Sequence, residues 1–174
     1  IQYAAAHVLM SNIYGQNKLF DKVNEIRYKM KTNNIKKIPG ISWIEINGKC
    51  HEFIANDKSH PMYNEIEKER EILKNELIEY GHIFDGSVIT KELHNNESIE
   101  DHLCGHSEKS ALIYGLISTP PGTPLIIAKN LRVCKDCHNA TKLISKIRNR
   151  KISVRDKNRW HIFQNNKCSC NDYF

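Results

Sequence analysis

Two short motifs, far apart in the chain, most strongly constrain how it can fold. Cys134 and Cys137 form a C-x-x-C motif, and His106 and Glu108 form an H-x-E motif that is separated from it by 25 residues. Each motif is expected at the start of a helix, where free backbone N–H groups help to lower thiol pKa values. If the imidazole and both thiolates share one metal ion, the fold must bring the two helix starts together.

The four residue types match the requirements of a hydrolytic zinc site. Catalytic zinc takes about three protein ligands, here His106, Cys134 and Cys137, and leaves a fourth position for water. Zinc lowers the pKa of that water from about 15.7 towards ~7, which gives hydroxide near neutral pH. Glu108 would accept the water proton and return protons to N3 and the departing amine of a cytosine, as in the H-x-E…C-x-x-C zinc deaminases. The alternatives are a purely structural zinc in a docking or RNA-binding module, and deamination of a free nucleoside.

A second set of ligand-type residues predicts another metal site. Cysteines in a C-x-C motif seldom form a disulfide with each other, because the required geometry is strained. Two cysteines and two histidines make a closed set of four, typical of structural zinc. The set consists of His138, His161, Cys168 and Cys170. Either histidine has an alternative interpretation as an ordinary hydrogen-bonded residue.

The other cysteines and several histidines are interpreted as structural. Cys50 and Cys104 have no ligand-type neighbours, so we expect buried thiols. The histidines without a nearby cysteine are expected to be structural or surface residues, namely His51, His60, His94 and His102.

Hydrophobic periodicity predicts an α/β layered domain after a small N-terminal helical hairpin. Asn47–Gly48 is a strong signal for a β-hairpin turn. Residues 82–101 are polar and mixed, which indicates a loop or a small insertion. Helices are predicted at about 3–14, 19–31, 60–80 and 106–117, and another from 134 onward. The helix at 60–80 is expected to bury Ile66, Leu73, Leu77 and Tyr80. Strands are predicted at 41–46, 50–54, 125–128, 152–154 and 160–163, and the one at 125–128 is expected to be fully buried.

Charge is distributed unevenly along the chain. Residues 129–159 contain 11 Lys or Arg and two acids, whereas residues 65–101 contain 11 acids and four bases. The basic segment suggests one face that attracts a polyanion such as nucleic acid, although both segments could equally be solvated helix faces. No run approaches the ~18 apolar residues of a membrane span. The first residues lack an initiator Met and a signal peptide, so we expect any targeting segment further upstream.

Several further motifs occur in the order found in one known family. The sequence resembles the DYW domain of plant-type pentatricopeptide-repeat (PPR) RNA editing proteins over essentially its whole length. The matching stretches are Pro39–Glu45 (the start of the PG box), Asp57–Pro61, Gly105–Glu108, Lys129–His138, Val154–Asp156 and Cys168–Phe174. The hairpin before Pro39 resembles the extension motifs that link a PPR array to this domain.

The resemblance implies a domain plan and an activity. Residues 1–38 would be the helical extension at the end of a repeat array, and 39–174 the deaminase domain, with the PG box at 39–61 and a gating insertion at 82–101. The implied fold is the cytidine deaminase α/β/α arrangement. The implied reaction is C-to-U deamination of single-stranded RNA in mitochondria or plastids, with upstream repeats choosing the site and organellar editing factors as further partners. Two zinc ions and no small-molecule cofactor are implied, and the second zinc would pin the C-terminal tail to the helix at Cys134.

Three residues depart from the family pattern. Phe174 stands where the family name expects Trp, and Asn166 stands where Gly is usual. Ile162 occupies a position where a second His commonly follows the one matching His161. Since an aromatic ring is kept at 174, we expect a modest effect there. The tripeptide His-Ser-Glu fits C-to-U editors better than divergent U-to-C variants.

Overall fold

A computed structural model describes residues 4–55, 57–93 and 97–174. Its helices are α1 (Ala4–Gln16), α2 (Phe20–Thr32), α3 (Tyr63–Glu79), α4 (Ile99–Cys104), α5 (Ser107–Ser118) and α6 (Lys135–Ile147), with a short 3-10 helix at Gly86–Val88. Its strands are β1 (Ile41–Ile46), β2 (Lys49–Ile54), β3 (Leu125–Lys129), β4 (Ile152–Arg155), β5 (Trp160–Gln164) and β6 (Lys167–Cys168). None of the helices within these ranges is both long and apolar enough to cross a bilayer.

The described residues divide into two compact units. The first comprises those within Ile1–Pro39 and Asp85–Ile99, and the second comprises Gly40–Phe84 and Glu100–Phe174. In the first unit, α1 and α2 form the predicted hairpin. The backbone at Thr90 lies against α1, because a Cβ atom placed on Gly15 would come within 2.7 Å of the Thr90 Cα and O atoms.

The second unit is built on a six-stranded mixed sheet. Its strand order is β2-β1-β3-β4-β5-β6, with β3 and β4 parallel and the other pairs antiparallel. The β1–β2 hairpin turns at Asn47 and Gly48, whose φ angles of 52° and 75° are those that a tight hairpin turn requires. The β5–β6 hairpin turns through Asn165 and Asn166, which also have positive φ.

The core lies between one face of this sheet and the helices. α5 packs on β1, β2 and β3, α6 packs on β5, and α3 packs against α5 and α6. Alternate strand residues point into this core, including Ile44, Phe53, Ile127, Val154 and Phe163. α5 is buried along ten of its residues and begins, as α6 does, near the carboxyl end of β3. The predicted α/β class is therefore confirmed.

Four expectations about local structure were wrong. Ile126 is 62% exposed and Tyr80 is 55% exposed, so β3 is buried on one face only and α3 buries a narrower stripe than its sequence indicates. α3 begins at Tyr63, later than Pro61 suggests, and α4 occupies the end of the stretch expected to be a loop. Within the predicted insertion, residues 94–96 lie outside the described residues, as does Tyr3 at the start of the first predicted helix.

Candidate active site and second ligand cluster

The two predicted motifs stand at the starts of α5 and α6. His106 is the N-cap residue of α5, with extended backbone angles, and Cys134 is the N-cap residue of α6. The Cys134 Sγ atom accepts a hydrogen bond from the backbone N–H of Cys137 at 3.4 Å. A cysteine can cap a helix in this way because the first-turn N–H groups lack partners within the helix.

The four predicted residues of the first site converge. His106 Nδ1 lies 3.4 Å from Cys137 Sγ and 3.6 Å from Cys134 Sγ. One ligand-type atom from each of these residues and one carboxylate oxygen of Glu108 all lie within 4.8 Å of one another. The sequence prediction thus selected side chains that the fold brings together across a gap of 25 residues.

This donor set suits a divalent zinc ion. The hydrogen bond of the Cys134 thiol with Cys137 and burial both raise the pKa of Cys134, so this thiol does not ionise readily by itself. A metal cation reverses that balance, because a coordinating thiol is deprotonated outright. Two sulfurs and one imidazole nitrogen match the three protein ligands of catalytic zinc, whose fourth position is taken by water. Glu108 Oε1 is buried and has no hydrogen-bond partner.

Glu108 is held as a carboxylate by a lysine that the sequence analysis did not single out. The Lys129 ammonium donates to Glu108 Oε2, and the Ser107 hydroxyl lies 3.3 Å from the same oxygen. Burial alone would raise the pKa of Glu108, but the nearby Lys129 ammonium and His106 imidazole lower it to about 2. The group is therefore ionised at neutral pH, which is the state in which a carboxylate can act as a proton acceptor.

A buried ion pair joins the two helix starts. The Lys109 ammonium donates to Asp136 Oδ2 at 2.6 Å and to the backbone oxygen of Leu103 at 3.0 Å. His82 Nε2 lies 3.1 Å from the other oxygen of Asp136. Burial alone would raise the pKa of Asp136, but hydrogen bonding from His82 and the Lys109 charge bring it to about 2. Since Lys109 follows Glu108 and Asp136 precedes Cys137, this pair fixes one motif against the other.

The second predicted ligand set also comes together. His138 Nε2 lies 3.2 Å from Cys170 Sγ, and His161 Nδ1 lies 3.7 Å from Cys168 Sγ. The two sulfurs are 3.3 Å apart, and one atom from each of the four residues lies within 4.8 Å of the others. The pKa of His138 is lowered to about 4 by burial and by the nearby His161. A neutral imidazole beside two cysteines is the protonation state in which a histidine binds metal.

Asp156 orients His161 through the ring nitrogen that faces away from the cysteines. Its Oδ2 atom lies 3.3 Å from His161 Nε2 and accepts a hydrogen bond from the backbone N–H of Val133 at 3.2 Å. A carboxylate on the far nitrogen fixes the tautomer of a metal-binding histidine and raises its basicity. Because Val133 precedes Cys134, the same carboxylate also anchors the start of the C-x-x-C motif.

The three departures from the family pattern fit the structure. The Phe174 ring stacks on His138 with centroids 4.0 Å apart and an interplanar angle of 20°. Asn166 adopts φ 62°, in the left-handed region that Asn tolerates best among residues with a Cβ atom. Ile162 is 39% exposed on the strand face opposite His161, so a histidine there would not reach the ligand cluster.

Within residues 4–55, 57–93 and 97–174, the other cysteines and histidines named above follow the expectations with one exception. Cys104 is buried as predicted, but Cys50 is exposed because β2 is an edge strand. His51 joins His60 and Tyr114 in a hydrogen-bonded ring cluster, with His51 Nδ1 3.0 Å from His60 Nε2. The His102 ring packs edge-on to that of His106, and His94 lies outside the described residues.

Comparison with known proteins gives consistent results. The family model of the DYW family of nucleic acid deaminases matches residues 81–174, and that of the E motif matches residues 3–45. A pentatricopeptide repeat-containing protein of Arabidopsis thaliana is 48% identical, aligned to 97% of this chain and 24% of its own length.

Two further Arabidopsis thaliana proteins of that name are similar. The one described as chloroplastic is 46% identical over 98% of this chain and 19% of its own length. The one described as mitochondrial is 44% identical over 98% of this chain and 27% of its own length. The chain thus spans about a fifth to a quarter of these relatives. With a family model covering more than half of it, the chain belongs to the DYW family of nucleic acid deaminases.

Proposed function

We propose that this chain catalyses C-to-U editing, the hydrolysis of the C4 amine of cytidine in organellar RNA. The observation that carries the proposal is the convergence of His106, Cys134 and Cys137 on the carboxylate of Glu108. A purely structural metal site has no use for that carboxylate, least of all one whose Oε1 atom is buried without a hydrogen-bond partner.

The reaction consumes one water and releases ammonia, leaving uridine. His106, Cys134 and Cys137 would hold zinc, which supplies hydroxide near neutral pH when bound. Glu108 would accept one proton from the attacking water and deliver it to N3, and would then carry the proton of the new C4 hydroxyl to the departing amine. These transfers require a carboxylate within about 2.6–3.2 Å of the reacting atoms, and Glu108 lies beside the proposed ligands.

Single-stranded RNA is the proposed substrate. The C4 amine cannot be reached inside a duplex, so a deaminase of this type acts on an unpaired or extruded base. Relatives described as pentatricopeptide repeat-containing proteins support an RNA substrate and site choice by repeats that precede the domain. Relatives described as chloroplastic and mitochondrial support a plastid or a mitochondrion as the compartment. Exposed cations of the basic segment, residues 129–159, would bind the phosphates of RNA. They are Arg132, Lys135, Lys146, Lys151, Lys157 and Arg159.

Replacing Glu108 with Ala tests the catalytic assignment. We expect deamination to fall by at least about 10²-fold, because a positioned acid/base contributes ~10²–10⁴. The protein should stay folded and its zinc content should stay unchanged. Glu65→Ala on the exposed side of α3 is the control for loss of a carboxylate. A variant that retained more than about a tenth of wild-type editing would show that another residue transfers the protons.

Two zinc ions per chain are proposed, one at each ligand cluster. Cys168→Ser should remove about one equivalent of zinc and lower the unfolding midpoint, since binding energy at a structural zinc site is folding energy. Cys50→Ser, at an exposed cysteine outside both clusters, should keep both ions. Metal analysis that found one ion or none in the reconstituted wild-type protein would contradict the two-site proposal.

A further inference from the structure

The two oxygens of the Glu108 carboxylate have different surroundings. Oε2 is in contact with the Lys129 ammonium and the Ser107 hydroxyl, whereas Oε1 is buried and unpartnered. The protein therefore holds one oxygen and leaves the other for a reacting group. One oxygen of this carboxylate lies within 4.8 Å of a ligand-type atom of each proposed zinc ligand. Oε1, which Lys129 and Ser107 leave without a partner, is the oxygen that can accept a hydrogen bond from a group bound there.

The groups that hold Oε2 come from two neighbouring strands. Lys129 is the last residue of β3, and Ser42 in β1 is its partner in the β1–β3 register. Paired residues of a sheet project to the same face, and here that face meets the first turn of α5. The Ser42 hydroxyl lies 2.9 Å from the Ser107 hydroxyl. A network of polar groups thus connects Ser42, Ser107, Glu108 and Lys129.

This polar network is buried and closely packed. The side chains of Lys129 and Glu108 are 8% and 5% exposed, and Ser42 is fully buried. A Cβ atom on Gly40, in the PG box, would lie 3.9 Å from the Lys129 ammonium nitrogen. An ion pair buried this deeply is weak evidence for a stabilising role, because desolvation offsets much of its attraction.

For a carboxylate that must accept and return protons in each turnover, an ion pair matters more by fixing the position of the carboxylate than by stabilising the fold. The Glu side chain has three rotatable bonds, and a misplacement of about 1 Å can cost ~10² in rate. We propose that Lys129 and Ser42 are positioning residues, which fix Glu108 Oε2 so that Oε1 is presented to the pyrimidine and its water. The inference rests on the proposed deaminase function and gives the PG-box strand a direct part in the active site.

The test uses the full-length zinc-loaded protein and its RNA target, with Lys129→Met, Lys129→Arg and Ser42→Ala as variants. We expect Lys129→Met to lower kcat about 10²-fold with KM, zinc content and the RNA Kd of the zinc-free protein each within about twofold of wild type. Lys129→Arg restores a cation and should recover part of the lost kcat. Ser42→Ala should have a smaller effect, about five- to tenfold, because Ser107 can still reach Oε2.

Matched controls separate positioning from general damage. Lys74→Met removes a lysine of α3 that pairs with Glu71 and with Asp101 of α4. Ser145→Ala removes a hydroxyl from a residue that is as buried as Ser42. Both should leave kcat unchanged. Unaltered kcat in Lys129→Met and Ser42→Ala would overturn the inference, as would a loss of kcat that is explained by lost zinc or that Lys129→Arg does not partly restore. Absence of Glu108-dependent editing in the wild type would instead contradict the proposed function.

Discussion

At the residue scale, the least predictable features are the buried lysines. In the sequence, nothing distinguishes Lys109 and Lys129 from the many other lysines. A lysine is almost never fully buried unless it is paired. Their partners, Asp136 and Glu108, are 27 and 21 residues away in sequence. No local pattern links such residues, whereas His106 and Cys137 are recognisable because ligand chemistry restricts the residue types.

Replacing Lys109 with Met should strongly destabilise the domain. Its side chain is 2% exposed and that of Asp136 is fully buried, so loss of the ammonium leaves a buried carboxylate without its main counter-charge. Breaking such a pair costs about 3–5 kcal/mol. Urea unfolding of the zinc-loaded protein measures the effect, and zinc affinity should fall with it because Asp136 adjoins Cys137.

Lys74→Met is the control for that measurement. Lys74 pairs with Glu71 and Asp101, whose side chains are 60% and 44% exposed, so its loss should cost less than about 1 kcal/mol. Equal destabilisation by the two variants would mean that the buried Lys109–Asp136 pair contributes no more to the free energy of unfolding than an exposed pair does.

At the scale of elements, the sequence predicted the strands and helices well where hydrophobic periodicity was unambiguous. The β-hairpin at Asn47–Gly48 and the helices α5 and α6 are where the sequence placed them. The errors concern burial: the apolar run of β3 indicated a strand covered on both faces, yet Ile126 points to solvent. A short apolar run cannot reveal which of its faces the helices will cover.

The packing of the 85–93 segment against α1 depends on one glycine. Gly15→Ala would ordinarily stabilise a helix by about 0.5–1 kcal/mol. Here the new methyl group would lie 2.7 Å from backbone atoms of Thr90, which no change of rotamer can relieve. We therefore expect the segment to move away from α1, seen as faster hydrogen exchange at its amides.

Gln16→Ala in the same helix is the control, since residue 16 is exposed and the substitution tests helix propensity alone. If residues 82–101 restrain the active site, as the family resemblance implies, Gly15→Ala should also increase deamination of RNA. Unchanged hydrogen exchange in Gly15→Ala would contradict the predicted displacement, and faster exchange with unchanged activity would contradict the gating role.

At the scale of the whole molecule, catalytic chemistry and the choice of an RNA site have different structural requirements. The ligand clusters and Glu108 lie within residues 106–170, whereas the relatives are about four to five times as long as this chain. Basic side chains can hold phosphates and position RNA, but phosphate contacts convey no sequence information. Reading single-stranded RNA requires contact with base edges, and helical repeats read about one base each.

We therefore expect residues 1–174 alone to edit weakly and with little choice of site. The helical hairpin of α1 and α2 is equivalent to at most one repeat, which cannot define a unique target. The measurement compares this chain with the full-length protein on the target RNA and on an RNA with the sequence upstream of the edited cytidine scrambled. The full-length protein should lose most editing on the scrambled RNA, and the isolated chain should edit both at a similar low rate. Efficient, sequence-selective editing by residues 1–174 would show that the deaminase domain itself reads the target.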